Sequence, residues 1–255
     1  MTAVLATQGV SKHFDGIMAL DRVSIDVQPG ERVGLIGPNG AGKTTLFNCI
    51  LGVLPIEVGS IELNGEDITS LPVHQRAHRG IGRTFQQIEL FADSTVRDHL
   101  VIAHRVNHGR RAFVRDLLTL GKPRADEVER SDEVLELLGL QDLADEPVER
   151  LSLGQGRLVE VARTLMTDPD VVLLDEPSSG LDRAETAALA ATLREIQDER
   201  GFAVLLVEHD IELVSSFTTR SYLLDFGRVL LGGPTDEVMA SPEMRDAYLG
   251  SVVPS

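Results

Sequence analysis

The segment Gly37-Pro38-Asn39-Gly40-Ala41-Gly42-Lys43-Thr44 carries glycines, a lysine and a hydroxyl at the spacing G-x-x-x-x-G-K-[ST]. Those residue types suit a polyphosphate. Glycines leave room for backbone N–H groups to turn toward phosphate oxygens, and a helix starting near Lys43 adds further unsatisfied donors. Lys43 can neutralise β- and γ-phosphate charge, and the Thr44 hydroxyl can ligate Mg²⁺.

Phosphoryl chemistry also needs an acidic element. Val171-Val172-Leu173-Leu174-Asp175-Glu176 places two carboxylates just past an apolar run. Asp175 is the candidate for the metal shell and Glu176 for polarising an attacking water. His209 follows a second apolar run, Ala203 to Val207, and can donate to a γ-phosphate while reporting on a nearby carboxylate.

The elements that must hold these groups are legible around them. Val23 to Val27 reads as a strand closed by Pro29-Gly30, and Glu31 to Ile36 as a short strand entering the glycine-rich turn. Leu46, Phe47, Ile50 and Leu51 recur at helical spacing behind it. Ser60 to Leu63, Val171 to Leu174 and Ala203 to Val207 read as further strands, and Ala184 to Asp198 as a helix. Arg97 to Arg124 holds seven basic against two acidic residues, and Asp126 to Glu149 ten acidic against one basic, so this charged stretch reads as a helical lobe that offers a docking surface, with contact to anionic lipid or plain solvation as the alternatives for its arginines. The expected fold class is α/β.

Composition narrows the function classes. The 255 residues suffice for a full core, and 42% hydrophobic content with 11 prolines excludes a disordered chain. A net charge of -16 argues against coating nucleic acid or an anionic membrane, and 4% aromatics against an aromatic-lined binding surface. The single Cys49 reads as a packing residue and suits a reducing compartment, and His99, His104 and His108 read as surface or packing residues. No signal-like start is visible, and the longest apolar stretches fall short of the roughly 20 residues of a spanning helix, so a soluble chain is expected.

Taken in order, GPNGAGKTT at Gly37 to Thr45, TFQQ at Thr84 to Gln87, LSLGQ at Leu151 to Gln155, VVLLDEPSSGLD at Val171 to Asp182 and VEHD at Val207 to Asp210 resemble the nucleotide-binding subunits of ABC transporters over nearly the whole chain. The resemblance implies one ABC ATP-binding domain over 1–255, a P-loop NTPase core with an N-terminal antiparallel β region: residues 1–90 form the N-terminal part of the catalytic core, about 91–165 an inserted helical subdomain, and 166–255 the remainder of the core and the C-terminal segment. It implies ATP and Mg²⁺ as ligands, and nucleotide contacts from Gly37, Asn39, Gly40, Gly42, Lys43, Thr44 and Thr45. It further implies that Phe14 stacks on adenine, with core packing as the alternative for that ring, and that Gln86 contacts Mg²⁺ or water. Ser152 and Gly154 then serve the γ-phosphate of a second subunit, and Asp182 communicates between the two sites. Leu153 departs from the usual LSGGQ. Read without the resemblance, LSLGQ is a polar loop before a helix from Arg157 to Met166, capped by Ser152.

GRTFQ at Gly82 to Gln86 and AYLG at Ala247 to Gly250 look most like branched-chain amino-acid uptake, with urea, amide and other amino-acid systems as alternatives. The implied partners are a second ATPase subunit, identical or homologous, two membrane permeases and an extracytoplasmic binding protein. The implied location is the cytoplasmic face of the membrane, held there by the permeases. The rival is a nontransport ABC ATPase of nucleic-acid or ribosome metabolism. The acidic charge offers it no support, and no direct nucleic-acid contact is expected.

Overall fold

In the computed structural model, residues 2–84, 94–107 and 123–249 are described. The chain alternates in a way that separates two sheets. Strands β1 (Leu5–Phe14), β2 (Ile17–Val27), β4 (Val58–Leu63) and β5 (Glu66–Asp67) form an antiparallel sheet in the order β2-β1-β4-β5. Strands β3 (Arg32–Ile36), β6 (Ile81–Arg83), β7 (Val171–Asp175), β8 (Ala203–Val207), β9 (Arg220–Asp225) and β10 (Arg228–Pro234) form the second sheet, in the order β10-β9-β3-β8-β7-β6. All pairings in it are parallel except β9 with β10, so this is a mixed α/β core beside an N-terminal antiparallel region.

Strands β7 and β8 are buried at every position, as expected where both faces of a parallel sheet are covered. Their side chains alternate by face. Val171, Leu173, Leu205 and Val207 join the cluster that packs under helix α1 (Lys43–Leu51) and the antiparallel sheet. Val172, Leu174, Val204 and Leu206 join the cluster on the opposite face, under the remaining helices. The uniformly apolar sequence of these strands is thus the sum of two core faces. A network around Arg220 ties the two sheets together: it donates to Asp26 and Glu31, and the Tyr222 hydroxyl donates to Asp26 at 2.7 Å. Burial would raise the Asp26 carboxyl, but hydrogen bonds from Arg220, Tyr222 and Gln28 hold it down at about 2.

Helix α2 (Val73–Ala77) follows the antiparallel sheet, and helices α3 (Val96–Asn107), α4 (Ala125–Leu137) and α5 (Leu153–Leu165) stand between β6 and β7. The charge asymmetry of this stretch has an internal use. Arg105 pairs with the fully buried Glu127 at 2.9 and 2.7 Å, and Arg97 reaches Asp132 at 2.5 Å and Asp145 at 3.2 Å. Arg97 and Arg105 are therefore not simply solvated; they staple α3 to the acidic segment. Two helix boundaries also differ from expectation. Helix α5 begins at Leu153, four residues before Arg157, because Ser152 and Gln155 form a reciprocal capping box that overrides the two glycines of its first turn. Helix α6 spans Arg183–Arg200, beyond the expected Ala184 to Asp198, because Asp182 and Glu185 do the same and Gly201 closes it. Helices α7 (Ile211–Phe217), α8 (Thr235–Ala240) and α9 (Pro242–Leu249) complete the described residues.

Candidate functional site

The phosphate-loop segment leaves the buried end of β3 and turns into α1. Gly37 has φ 150°, and a Cβ there would lie 2.0 Å from the Leu224 carbonyl oxygen; Gly42 has φ 104°, with its Cβ position 2.6 Å from Ala19 O. Neither position accepts a side chain. Asn39, Gly40 and Thr44 are exposed and Thr45 partly so, whereas Lys43 is buried. Helix α1 has no side-chain cap and no acid in its first turn, which leaves its N-terminal donors and positive dipole end open to an anion. The Lys43 ammonium donates to Gly37 O at 2.7 Å and Pro38 O at 3.0 Å. Burial lowers its pKa, and the charges of Glu176 and Asp175 oppose that shift.

Two parallel strand ends deliver the acids. Asp175 closes β7, and burial pushes its carboxyl up, against Arg83 and with help from Glu176 and Glu208. Glu176 follows with φ 47°, a left-handed conformation costing a non-glycine residue roughly 1 kcal/mol. Its N–H is held by Val207 O at 2.8 Å on β8. This turns the carboxylate toward the end of β8, where Glu176 Oε1 lies 3.0 Å from His209 Nε2.

The other predicted residues fall at three places. Phe14, at the tip of the β1–β2 hairpin, is 42% exposed, which removes the core-packing alternative, and Lys12 Nζ lies 5.4 Å from its ring centroid. Ser152 caps α5 and is exposed, as is Leu153, whose Cδ2 lies 2.9 Å from where a Cβ on Gly180 would be. Gly154 is partly buried beside Glu185 and Leu181, and Asp182 caps α6 through Glu185 N–H at 2.9 Å. Gln86 and Gln87 lie outside the described residues. Cys49 is buried, with its thiol pushed up to about 11 by burial, and His99 is buried with Nδ1 2.9 Å from Thr95 O. Both fit packing roles.

Three residues with no role legible in the sequence are brought to the site by the fold. Glu208 is buried behind His209 and accepts hydrogen bonds from backbone N–H groups of two loops. Arg157 donates to Ser179 O at 3.1 Å. The Tyr248 phenol, raised by burial, is hydrogen-bonded to the backbone of Gly37. A charged residue at the end of an all-apolar strand was a visible signal for Glu208, but its partner Ser178 lies thirty residues away in sequence.

Fold and site together define an ATPase of the P-loop class with a helical insertion. Residues 20–179 match the family model described as ABC transporter. The chain is 36% identical over 249 residues to the high-affinity branched-chain amino acid transport ATP-binding protein LivG of Salmonella typhimurium, covering 97% of this chain and 98% of the relative. It is 37% identical over 251 residues to the corresponding BraF of Pseudomonas aeruginosa, covering 97% and 98%. An ABC-transporter ATP-binding cassette solved in its ADP conformation superposes with a TM-score of 0.88 at 30% identity, covering 98% of this chain and all of that one. A nucleotide-free cassette gives 0.86 at 30% identity, covering 97% and 99%. The chain belongs to the ABC transporter family. It is an ATP-binding, ATP-hydrolysing subunit, and among the described residues no helix is long and apolar enough to cross a membrane.

Proposed function

We propose that this chain energises a branched-chain amino-acid importer, working as one of two ATPase subunits docked on two membrane permeases at the cytoplasmic face and served by an extracytoplasmic binding protein. The observation that carries the cargo assignment is the full-length similarity to LivG and BraF, at 36% and 37% identity. The docking assignment has its own support. A groove of about 610 Å³ opens between α1, α2 and the helical lobe, walled by Leu51, Val53, Val73, Ile81, Ile102 and Ala103. Val53, Val73 and Ile102 are exposed there, which suits an apolar segment of a membrane partner.

In this reading the N-terminal donors of α1, the backbone of Gly37, Asn39, Gly40 and Gly42, and the Thr45 hydroxyl hold the phosphates. Lys43 exchanges its two loop carbonyls for phosphate oxygens, and Phe14 offers its exposed face to adenine. Asp175 and Thr44 offer hard oxygens that suit Mg²⁺, which usually takes only one or two carboxylates beside substrate phosphates, and Gln86 is the third residue assigned to the metal. When bound, the metal supplies neutralisation of β- and γ-phosphate charge. Glu176 takes the proton of the attacking water, and His209 orients that carboxylate and donates to the γ-phosphate. Ser152 and Gly154 complete the site of the partner subunit, and Asp182 links the two sites.

Affinity capture from detergent-solubilised membranes, with leucine uptake measured in a host lacking its own importer, tests the proposal. Recovery of two permeases together with chain-dependent leucine uptake supports it. Recovery of permeases with uptake of urea or an amide instead moves the cargo, and capture of ribosomes or DNA without permeases overturns the transport role.

A further inference from the structure

Among the described residues, the sheet pairing between the strands that carry Glu176 and His209 stops just short of the two loops. The parallel register of β7 and β8 ends at Asp175 opposite Val207, followed by one bond from Glu176 N–H to Val207 O. Catalysis by a carboxylate and imidazole 3.0 Å apart is sensitive to shifts well under 1 Å.

Glu208 has the position and chemistry of a tie between the two loops. It lies between Val207 and His209 and is 2% exposed. One carboxylate oxygen, Oε1, accepts the Ser178 N–H at 2.9 Å, two residues past Glu176. The other, Oε2, accepts the His209 N–H at 2.9 Å and the Asp210 N–H at 3.3 Å. One side chain therefore satisfies three backbone donors on two loops, by charge-assisted bonds roughly twice as strong as neutral ones. The Ser178 loop is itself closed by Ser179 N–H to Glu176 O at 3.1 Å, so a displacement of Ser178 is passed to Glu176. Arg157 donates to Ser179 O on the same loop, and its charge and that of Glu208 attract each other.

We propose that Glu208 is a positioning residue for hydrolysis: its two carboxylate oxygens strap the turn after Glu176 to the turn carrying His209 and so set their separation. The proposal rests on the roles given above to Glu176 and His209. Both oxygens are needed, which separates this role from mere filling of space. A glutamine keeps the volume but has only one acceptor oxygen, so its amide group must face one loop's N–H donors. An aspartate keeps the charge and both acceptors but is one methylene short.

The test measures steady-state ATPase, fluorescent-ATP affinity and thermal midpoint for the full chain and for its Glu208→Gln, Glu208→Asp and Glu176→Gln variants. Glu208→Gln is expected to lower kcat by roughly tenfold or more while the nucleotide Kd stays within about twofold. Glu208→Asp is expected to retain more turnover than Glu208→Gln, and it carries the comparison of kcat with Kd if the glutamine variant fails to fold. Normal kcat in Glu208→Gln, a glutamine variant as active as the aspartate or more so, or losses of kcat, affinity and thermal midpoint in parallel would each overturn the strap. Glu176→Gln with undiminished turnover would instead overturn the underlying site reading. An inactive Glu176→Gln beside a fully active Glu208→Gln overturns the strap alone.

Discussion

Glu176 Oε1 stands 3.0 Å from His209 Nε2, joining residues thirty-three apart in sequence across the ends of two adjacent parallel strands. The contact forms because Glu176 takes a left-handed turn, φ 47°, that swings its carboxylate from the line of β7 toward the end of β8.

From this pair, Glu176→Gln should keep ATP affinity within about twofold and lose at least about a hundredfold in kcat, since general-base steps contribute factors of that order. His209→Ala should show the same pattern. ATPase assays beside equilibrium nucleotide binding check both, and an affinity loss as large as the rate loss would exclude the assignment.

Leu153 lies over Gly180 so that a Cβ added there would fall 2.9 Å from Leu153 Cδ2, and the Gly180 backbone φ is 84°. Gly180→Ala should cost about 1–2 kcal/mol, from clash and left-handed strain together. Adding Leu153→Gly should recover only the clash component. Urea denaturation of the two single variants and the double variant reads the coupling directly, and strictly additive losses would show that the contact carries no energy.

Glu127 is fully buried against Arg105 and Arg124. Burial pushes its carboxyl up, but the two arginines outweigh it, so the folded pKa lies below the ordinary value. A depressed carboxylate stabilises the fold above its unfolded pKa, near 4.3, and that contribution drains away as pH falls through the folded value. Glu127→Gln should therefore cost about 3 kcal/mol at neutral pH. Its deficit relative to wild type should shrink below about pH 4. Paired urea melts at neutral and acidic pH check the sign.

Phe14 shows solvent a ring that is 42% exposed, so its truncation should leave the core intact. Phe14→Ala should weaken ATP binding by roughly fivefold to tenfold, in line with about 1 kcal/mol for one lost aromatic stack, with a thermal midpoint close to wild type. Unchanged affinity would remove Phe14 from the adenine site.

The phosphate loop, the acids after β7 and the histidine after β8 were legible because each depends on a local rule: residue type, short spacing, and a flanking apolar run. The α/β class was equally legible, since Val171 to Leu174 and Ala203 to Val207 are too short and too uniformly apolar for surface helices. The start of α5 was not, because LSLGQ reads locally as a polar loop before Arg157, while the Ser152–Gln155 capping box starts the helix at Leu153. Nor was the use of Arg97 and Arg105, whose acidic partners stand 22 to 48 positions away.

The sequence by itself determined which groups this ATPase offers as candidates for phosphate, metal and water, because their types and close spacings match the chemistry proposed for them. Only the tertiary structure decided how they meet. The Glu176–His209 pair, the Glu208 bond to Ser178 and the approach of Leu153 to Gly180 all join separate segments, and their distances are set by strand register and helix packing.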